Sequence, residues 1–208
     1  MTNQTLISKI ELIKTFRKKA LEIDTKELQE KRKKFLDFLN IQEIEFPKVL
    51  EMYQTKDFTI YGKKQIAQYF HEYQFANTRN QLKSEIRAEC DKLPFSNAIG
   101  LICDIVSSLM EKEIHFAVFY AEGQRSPHII IYDFEELKKY SAFQRLKARA
   151  MFWRWIIPFR IQLLDQAIWD DDHYVPLEFA PHWKYGTPFN LLFEYVPTQE
   201  VENAISSS

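Results

Sequence analysis

Apolar residues recur at the spacing of an amphipathic helix over the first forty positions of the chain. From Leu6 to Leu39 they fall three or four residues apart, and Asp24-Thr25 interrupts the run where a second helix can be capped. This pattern predicts an N-terminal helical hairpin. Another helical pattern occupies residues 66–73. Apart from the polar residues at the end of the chain, there is no repeat or low-complexity tract.

The centre of the chain alternates between strand-like and helix-like patterns. Apolar residues two apart predict a strand that ends near Ala88, and a helical pattern occupies 98–109, with Ser96-Asn97 as its candidate cap. β-Branched and aromatic residues predict two more strands, at 114–120 and 129–132. The polar connection between these two strands predicts a loop.

The last third of the pattern predicts two helices and a final pair of strands. The helices cover 135–140 and 143–156, and the strands lie around 175–179 and 189–195. Helices and strands that alternate irregularly favour an α+β fold in which helices pack against a sheet.

We expect three regions along the chain. Residues 1–75 form a helical N-terminal region that serves for docking or as cover, residues 76–200 form the core, and residues 201–208 form a disordered tail.

Composition and length favour one globular unit. The 208 residues are 46% hydrophobic and 27% charged, which is enough apolar material for a core. No segment approaches the roughly 18 apolar residues of a membrane span, and residues 1–4 lack the layout of a signal peptide. We therefore expect a cytoplasmic protein. Cys90 and Cys103 are too few for a disulfide framework or a four-cysteine zinc site, so we expect two buried thiols.

The net charge of −1 excludes a protein that coats nucleic acid by electrostatics alone. Charge is nevertheless uneven. An acidic run occupies 170–172, and the first forty residues are locally basic. The basic residues there are Lys14, Arg17, Lys18, Lys19, Lys31, Arg32, Lys33 and Lys34. Solvated helix faces account for such runs, and a surface that contacts a nucleic-acid backbone is the alternative.

Two carboxylates close the strand predicted before the central helix. Glu89 and Asp91 are separated by Cys90, and residues two apart in a strand project on the same side. Two like charges at close range are stabilised by a cation, and hard divalent ions prefer oxygen ligands. The pair therefore predicts a Mg²⁺ or Mn²⁺ site, with a solvated acidic strand end as the alternative.

The loop 121–127 and the strand after it combine several hydrogen-bonding groups. Gly123 permits a tight turn, Gln124 and Arg125 offer donors and Ser126 offers a hydroxyl. His128 begins an apolar strand, where its ring is expected to share a sheet surface with other polar groups. Donors that converge at the start of a strand suit a phosphate, and a structural histidine is the alternative.

A third group of polar residues lies late in the chain. Asp165 follows an apolar run, as a carboxylate at the edge of a core does. His182 and Lys184 precede a turn predicted at Gly186. Lysine binds phosphate as a point charge, and a neighbouring histidine can donate to the same group.

Taken in order, these motifs resemble the catalytic small subunit of archaeo-eukaryotic primases and the related primase-polymerases of archaea, plasmids and viruses. That family carries a strand-borne acidic pair with one residue between, a histidine after a Ser-Gly-x-Arg-Gly-like segment, a later Asp after an apolar residue, and a His-x-Lys-Thr-Gly pattern. The matching segments are Glu89-Cys90-Asp91, 122–128, Asp165 and 182–186.

Three positions depart from the family's pattern. The acidic pair begins with Glu89, Glu122 replaces the serine before the glycine, and Tyr185 stands where threonine is usual. The cysteine-rich zinc-binding insertion of cellular primases is absent, so the resemblance implies no structural zinc.

The resemblance implies an RRM-like core with an antiparallel or mixed sheet and packed helices. It implies a nucleotidyltransferase that makes or extends primers by two-metal catalysis with Mg²⁺ or Mn²⁺. Its catalytic and metal-binding residues would be Glu89, Asp91 and Asp165. Its nucleotide-binding residues would be Arg125, Ser126, His128, His182 and Lys184.

The partners that this resemblance implies are a single-stranded DNA template, nucleoside triphosphates, and a primase large subunit or a helicase, in a nucleoid-associated location without a membrane. Template contacts are expected from the aromatic and basic segment 153–155 or from the N-terminal hairpin, and burial of the tryptophans in the core is the alternative.

Two alternatives of other classes stay open. The first is a noncatalytic accessory subunit or nucleic-acid-binding replication protein with the same fold. The second is a metal-dependent hydrolase that uses histidines, although they lack a tight metal-ligand spacing. Its candidate residues are His115, His128, His173 and His182.

Overall fold

A computed structural model describes residues 78–180, 182, 185 and 187–198, together with 26, 30, 31, 33–35, 37 and 38. The described residues between 26 and 38 are helical. The rest of the predicted N-terminal hairpin, the pattern at 66–73 and the predicted tail at 201–208 lie outside the described residues. Lys184 lies outside them as well.

The described strands form two antiparallel sheets. The larger sheet has the order β2-β4-β3-β6, and β1 pairs with β5 in a separate two-stranded sheet. With the helices, this arrangement confirms the prediction of an α+β fold with an antiparallel sheet. The strands are β1 (Thr78–Asn80), β2 (Ile86–Ala88), β3 (Phe116–Tyr120), β4 (His128–Ile131), β5 (Tyr174–Pro176) and β6 (Asn190–Tyr195).

Two α-helices connect the strands of the larger sheet. Helix α1 (Phe95–Glu111) runs between β2 and β3, and helix α2 (Ala142–Ile156) follows β4. Ser141 caps α2 by accepting a hydrogen bond from the backbone of Gln144, whose side chain bonds back in a capping box. Short 3₁₀ turns occupy Glu135–Lys139, Ile161–Leu163 and Gln166–Trp169.

The predicted start of α1 was wrong by about one turn. The helix begins at Phe95, directly after Pro94, and no side chain caps it. Ser96 and Asn97 lie inside the first turn instead of preceding it. Proline suits this position because the first residues of a helix need no N–H partner and its φ is already helical.

The last two strands lie in different sheets. β5 pairs with β1, whereas β6 pairs with β3. Backbone hydrogen bonds also join the segment after β5 to the segment before β6: Phe179 N–H to Phe189 O at 2.8 Å, Phe189 N–H to Ala180 O at 2.9 Å and His182 N–H to Thr187 O at 2.7 Å. Partner choice depends on long-range contacts, which the pattern of each strand does not encode.

One face of the larger sheet packs against both helices. Ile86 and Ala88 of β2 and Ile129 and Ile131 of β4 lie in this core. Trp153 of α2 is fully buried there, and its Nε1–H donates to the carbonyl of Arg87 at 2.7 Å. Trp153 is therefore a core residue, as the alternative to base stacking predicts. The predicted burial of Cys90 and Cys103 is confirmed.

The opposite face of the larger sheet carries an aromatic cluster and a buried ionic cluster. The aromatic cluster joins Ala117, Phe119 and Ile130 of the sheet to Phe179 and Phe189. Since side chains alternate along a strand, His128 and Ile130 project on this face, away from α1 and α2.

The ionic cluster joins the small sheet to the large one. Arg79 of β1 donates to Glu178 at 2.9 and 2.7 Å and to Glu85 at 2.8 and 3.0 Å. Arg87 of β2 also donates to both glutamates, and Tyr132 donates to Glu178 at 3.1 Å. All four charged side chains are fully buried. Although burial works against its charge, the two glutamates hold the pKa of Arg79 above its usual range.

Candidate active site

A cavity of about 340 Å³ lies at one end of the sheet face that is turned away from α1 and α2. Most of the predicted site residues line it: Glu89, Asp91, Arg125, His128, Asp165 and His182. Ser126 is buried behind Asp91. The remaining predicted residue, Lys184, lies outside the described residues. The cavity is also lined by Gln124, His173, Tyr174, Pro176 and Tyr185.

The alternation of β2 continues past its last residue and places the acidic pair. Ala88 and Cys90 are fully buried in the core under the helices, whereas Glu89 and Asp91 project to the other side and line the cavity. Burial, with the charges of Glu89 and Asp91, raises the pKa of Cys90 to about 12. The thiol is therefore protonated at neutral pH and is not a nucleophile.

Glu89 forms an ion pair with His128 across the neighbouring strands. Glu89 Oε2 lies 2.9 Å from His128 Nε2, and both side chains are nearly buried, at 11% and 5% exposure. Burial works to raise the pKa of Glu89. The charge and hydrogen bond of His128 outweigh that effect, with help from His173 and Arg87, so the pKa falls below its usual value. Glu89 is therefore an ionised carboxylate.

Asp91 is anchored by a serine from the neighbouring loop. Ser126 Oγ–H donates to Asp91 Oδ1 at 3.0 Å, and Ser126 Oγ in turn accepts a hydrogen bond from the backbone N–H of Cys90 at 2.9 Å. The pKa of Asp91 lies above its usual value, mainly because of burial and then because of the charge of Glu89, with a smaller contribution from Asp165. The site therefore holds more negative charge at Asp91 than its partners neutralise.

Asp165 reaches the cavity through a backbone contact with the acidic pair. Its N–H donates to the carbonyl of Glu89 at 2.9 Å, which holds the chain after α2 against the end of β2. The carboxylate caps a 3₁₀ turn by accepting from Ala167 N–H at 3.1 Å, and Lys92 Nζ lies 3.8 Å away. Asp165 is thus placed near Glu89 and keeps a partly exposed carboxylate.

The loop between β3 and β4 brings donors into the cavity. Gly123 has a φ of 94°, a conformation that favours glycine, and the N–H of Gln124 closes the turn on the carbonyl of Ala121 at 3.0 Å. The side chain of Gln124 accepts from Ala121 N–H at 2.7 Å, which turns its amide nitrogen toward His128 Nε2 at 3.2 Å. When the Nε2–H of His128 donates a hydrogen bond to Glu89, Nε2 has no lone pair with which to accept a hydrogen bond from the amide of Gln124.

Arg125 is the exposed cation of the same loop. Its Nη1 reaches the carbonyl of Asp91 at 3.5 Å, and its guanidinium lines the cavity. Its N–H groups therefore face the space beside the acidic pair, where they are available to an anion.

Aromatic rings form the far wall of the cavity. The rings of His182 and Tyr185 lie 5.0 Å apart at 32°, and the backbone N–H of His182 donates to Thr187 O at 2.7 Å. The hydroxyl of Thr187 donates to Glu122 O at 2.8 Å, which ties this wall to the glycine turn. A Cβ on Gly123 would lie 2.9 Å from Tyr185 Cδ1. The turn and the wall are thus in direct contact.

Sequence reasoning missed part of this lining. Gln124 was identified only as a donor in the loop, and Tyr185 only as a departure from the family's pattern. Tyr174 and Pro176 come from β5, which carried only a strand signal, and His173 was a candidate only for the hydrolase alternative. The segment before β5 is held by Asp171, whose carboxylate binds Arg149 at 2.8 Å and also binds Arg145. These long-range ion pairs are visible only in the three-dimensional structure.

The histidines predicted for a hydrolase separate into two places. His128, His173 and His182 line the cavity. His115 lies elsewhere, with its Nε2 at 3.0 Å from Glu194 Oε1 and its Nδ1 at 3.9 Å from Asp133. Three of the four candidate histidines therefore share the cavity, and His115 does not.

The carboxylates of the cavity have the right chemistry to bind a hard divalent cation, but they are not grouped closely enough to form a metal site. Glu89, Asp91 and Asp165 supply carboxylate oxygens, and the raised pKa of Asp91 reflects negative charge that a cation would neutralise. Yet among the described residues no three His, Cys, Asp or Glu side chains are grouped as a metal site requires.

Across the part of the chain that the structure describes, no helix is long and apolar enough to span a bilayer. Searches against family models, curated proteins and solved structures found no match to this chain.

Proposed function

We propose that this chain is a nucleotidyltransferase of the primase-polymerase type, which makes or extends nucleic-acid primers on a single-stranded template. One observation carries the proposal. Residues from four separate segments, 89–91, 124–128, Asp165 and His182, line the same cavity although up to ninety residues lie between them in the chain. These are the segments whose order and composition resemble the primase motifs.

In this proposal Glu89, Asp91 and Asp165 hold Mg²⁺ or Mn²⁺. When bound, such ions lower the charge on a nucleoside triphosphate and acidify an attacking hydroxyl. His128 keeps Glu89 ionised and fixes its orientation through the 2.9 Å contact. Ser126 fixes Asp91 in the same way at 3.0 Å. Both carboxylates are thus oriented before any ligand arrives, which reduces the cost of assembling the site.

The loop between β3 and β4 and the far wall of the cavity are proposed to hold the nucleotide. Arg125 and Gln124 offer N–H donors to phosphate oxygens, and His182 lies on the far wall with Lys184 two residues later in the sequence. The ring of Tyr185 offers an apolar surface for the sugar or base. A cavity of about 340 Å³ suits a ligand of nucleotide size.

The test is nucleotide incorporation on single-stranded DNA with labelled nucleotides and Mg²⁺ or Mn²⁺. The wild-type protein is expected to give a product. The Asp91→Asn, Asp165→Asn variant is expected to give none, because it loses two of the three proposed ligands. The Asp133→Asn variant is the control, since this exposed carboxylate lies outside the cavity. Loss of activity in both variants, or equal activity in both, contradicts the proposed roles.

The ion pair of Glu89 favours a second candidate, a noncatalytic accessory subunit with the same fold. A carboxylate already neutralised by His128 is a weaker metal ligand, and the described residues contain no three-ligand group. Calorimetric titration with Mn²⁺ separates the two candidates. Binding that Asp91→Asn weakens at least tenfold supports the enzyme. No binding and no incorporation, by a folded protein, favour an accessory subunit that works with a primase or helicase partner.

A further inference from the structure

The side of α2 that faces away from the sheet exposes large apolar side chains. Phe143 is 66% exposed, Met151 is 70% exposed and Trp155 is 58% exposed. Lys147 and Arg154 are exposed between them. We call these five residues the α2 stripe. Large apolar groups at this exposure in a continuous patch mark an interaction surface more often than single exposed residues do.

The α2 stripe is continuous along the helix. With 100° between successive residues, its five side chains fall within an arc of about 120°. A rise of 1.5 Å per residue places Phe143 and Trp155 about 18 Å apart along the axis. This distance equals about five nucleotides stacked at 3.4 Å along one strand. The stripe is therefore long enough for several contacts with an extended ligand.

Cations are interleaved with the rings of the α2 stripe. Lys147 Nζ lies 4.2 Å from the ring centroid of Phe143. Lys112, the residue that follows α1, places its Nζ 4.9 Å from the ring centroid of Trp155. Among the described residues, neither Lys147 nor Arg154 has a carboxylate within ion-pair distance. Each of these cations is therefore available to an external anion.

The sequence around α2 is depleted of negative charge. Between Glu136 and Asp165 there are seven Lys or Arg residues and no Asp or Glu. Arg145 and Arg149, on the buried side, share Asp171 as a partner. Lys138, Lys139 and Arg160 pair with Glu135, Glu136 and Asp104. Lys147 and Arg154 are thus the members of this set with no carboxylate partner among the described residues. A surface with this bias favours a polyanion, whereas the interface core of a protein partner is typically depleted of charged residues.

From this pattern we infer that the α2 stripe binds single-stranded nucleic acid. The stripe alternates apolar side chains with cations and has a ring at each end, which matches a ligand in which bases alternate with phosphates, because bases stack on rings and phosphates pair with cations. A helix that lies on a membrane has its apolar and basic residues on separate faces instead. The stripe also lies on the other side of the sheet from Glu89 and His128, so this inference does not depend on the proposed function of the cavity.

The test is the affinity of the full chain for a labelled oligo-dT of 15 nucleotides, about three times the length of the stripe, measured by fluorescence anisotropy at several salt concentrations. The Lys147→Glu, Arg154→Glu variant should weaken binding at least tenfold. It should also lower the slope of log affinity against log salt by about 1.4, because two phosphate contacts are lost. The control is Lys83→Glu, Lys139→Glu, which changes the net charge equally at exposed positions outside the stripe.

Trp155 gives a second measurement that net charge does not affect. Trp155→Ala should weaken binding about fivefold or more, and Trp155→Phe should restore most of the affinity, because either ring stacks on a base. Trp153 and Trp169 are buried, whereas Trp155 is exposed, so bound oligo-dT should quench the emission of Trp155. In the Trp155→Phe variant this quenching should therefore fall while affinity is kept. Thermal melting checks that each variant is folded, which is expected since the side chains are exposed.

Three outcomes overturn the inference. The first is that the wild type does not bind oligo-dT at low salt. The second is that the stripe variant and the control variant lose equal affinity, which indicates a nonspecific charge effect. The third is that vesicles with anionic lipid bind the wild type, and lose affinity in the stripe variants, while oligo-dT binding is unchanged; the stripe is then a membrane contact. Nucleotide incorporation by the cavity is measured separately and affects none of these outcomes.

Discussion

Replacing Asp91 by asparagine should stabilise the fold while removing a group proposed for catalysis. The side chain keeps its shape, and an amide oxygen can still accept the hydrogen bond from Ser126, which is 3.0 Å long in the native site. What changes is the charge. Asp91 is partly buried and repelled by Glu89 and Asp165, as the raised pKa of its carboxyl reflects. Relief of a repulsion that water partly screens is worth about 1 kcal/mol.

The matching change at Glu89 should have the opposite sign. Glu89→Gln removes the negative partner of His128 from a pair that is 2.9 Å long and nearly buried. A hydrogen bond to a charged group contributes about 2 kcal/mol. For a chain of 208 residues, 1 kcal/mol corresponds to a change in Tm of about 3 °C. We therefore expect Asp91→Asn to melt about 3 °C above the wild type and Glu89→Gln about 6 °C below it.

The two stability effects should depend on pH in different ways. The folded pKa of Asp91 is raised, so its charge costs stability above that pKa and costs none below the unfolded value near 3.9. The advantage of Asp91→Asn should thus be present at pH 7 and disappear near pH 3. The folded pKa of Glu89 is lowered, so its contribution is present above the unfolded pKa and is lost as pH falls through the folded one.

Calorimetric melting at pH 7, pH 5 and pH 3, without divalent ions, measures both effects. The control is Asp133→Asn, an exposed carboxylate outside the cavity, for which little change is expected. A lower Tm for Asp91→Asn than for the wild type at pH 7 would refute the argument that this carboxylate is repelled by its neighbours. Equal effects of the two cavity substitutions would refute the argument that only Glu89 is neutralised.

Three other substitutions test the structure around the site. Gly123→Ala should cost about 1–2 kcal/mol in unfolding measurements, since φ is 94°, and should weaken nucleotide binding by displacing the ring of Tyr185, 2.9 Å from the added Cβ. Glu178→Gln should lower the free energy of unfolding by about 3–5 kcal/mol in urea titrations, because it leaves Arg79 with one buried partner instead of two. Ser141→Ala should cost about 1 kcal/mol by the same method, since it removes the cap of α2.

The sequence was sufficient to predict the acidic side of the cavity, because local periodicity determines it. The alternation along β2 sends Cys90 into the core and its two neighbours into the cavity. The same alternation along β4 sends His128 to that face, opposite Phe119 of β3. A period of two needs no knowledge of partners, so these positions follow from the chain alone.

The aromatic side of the cavity could not be predicted in this way. Tyr174 reaches the cavity from β5, which pairs with β1 ninety-odd residues earlier in the chain. That pairing is held by the buried ions of Arg79 and Glu178, and charged residues in a strand are normally interpreted as solvent-facing. A pattern of hydrophobic and polar positions therefore places Arg79 and Glu178 on the solvent side of their segments, and it gives no reason to pair β1 with β5.

Charge is distributed in two ways on this sheet face, and the difference separates structure from function. In the cluster around Arg79, each glutamate has two buried arginine partners, so its negative charge is compensated within the protein. In the cavity, His128 compensates Glu89. Asp91 accepts a hydrogen bond from Ser126 and is attracted by His128, but burial and the charges of Glu89 and Asp165 outweigh these effects and raise its pKa. The buried ions around Arg79 thus stabilise the fold, whereas the charge of Asp91 does not. This contrast supports the proposal that the cavity binds a cation, which would supply the missing positive charge.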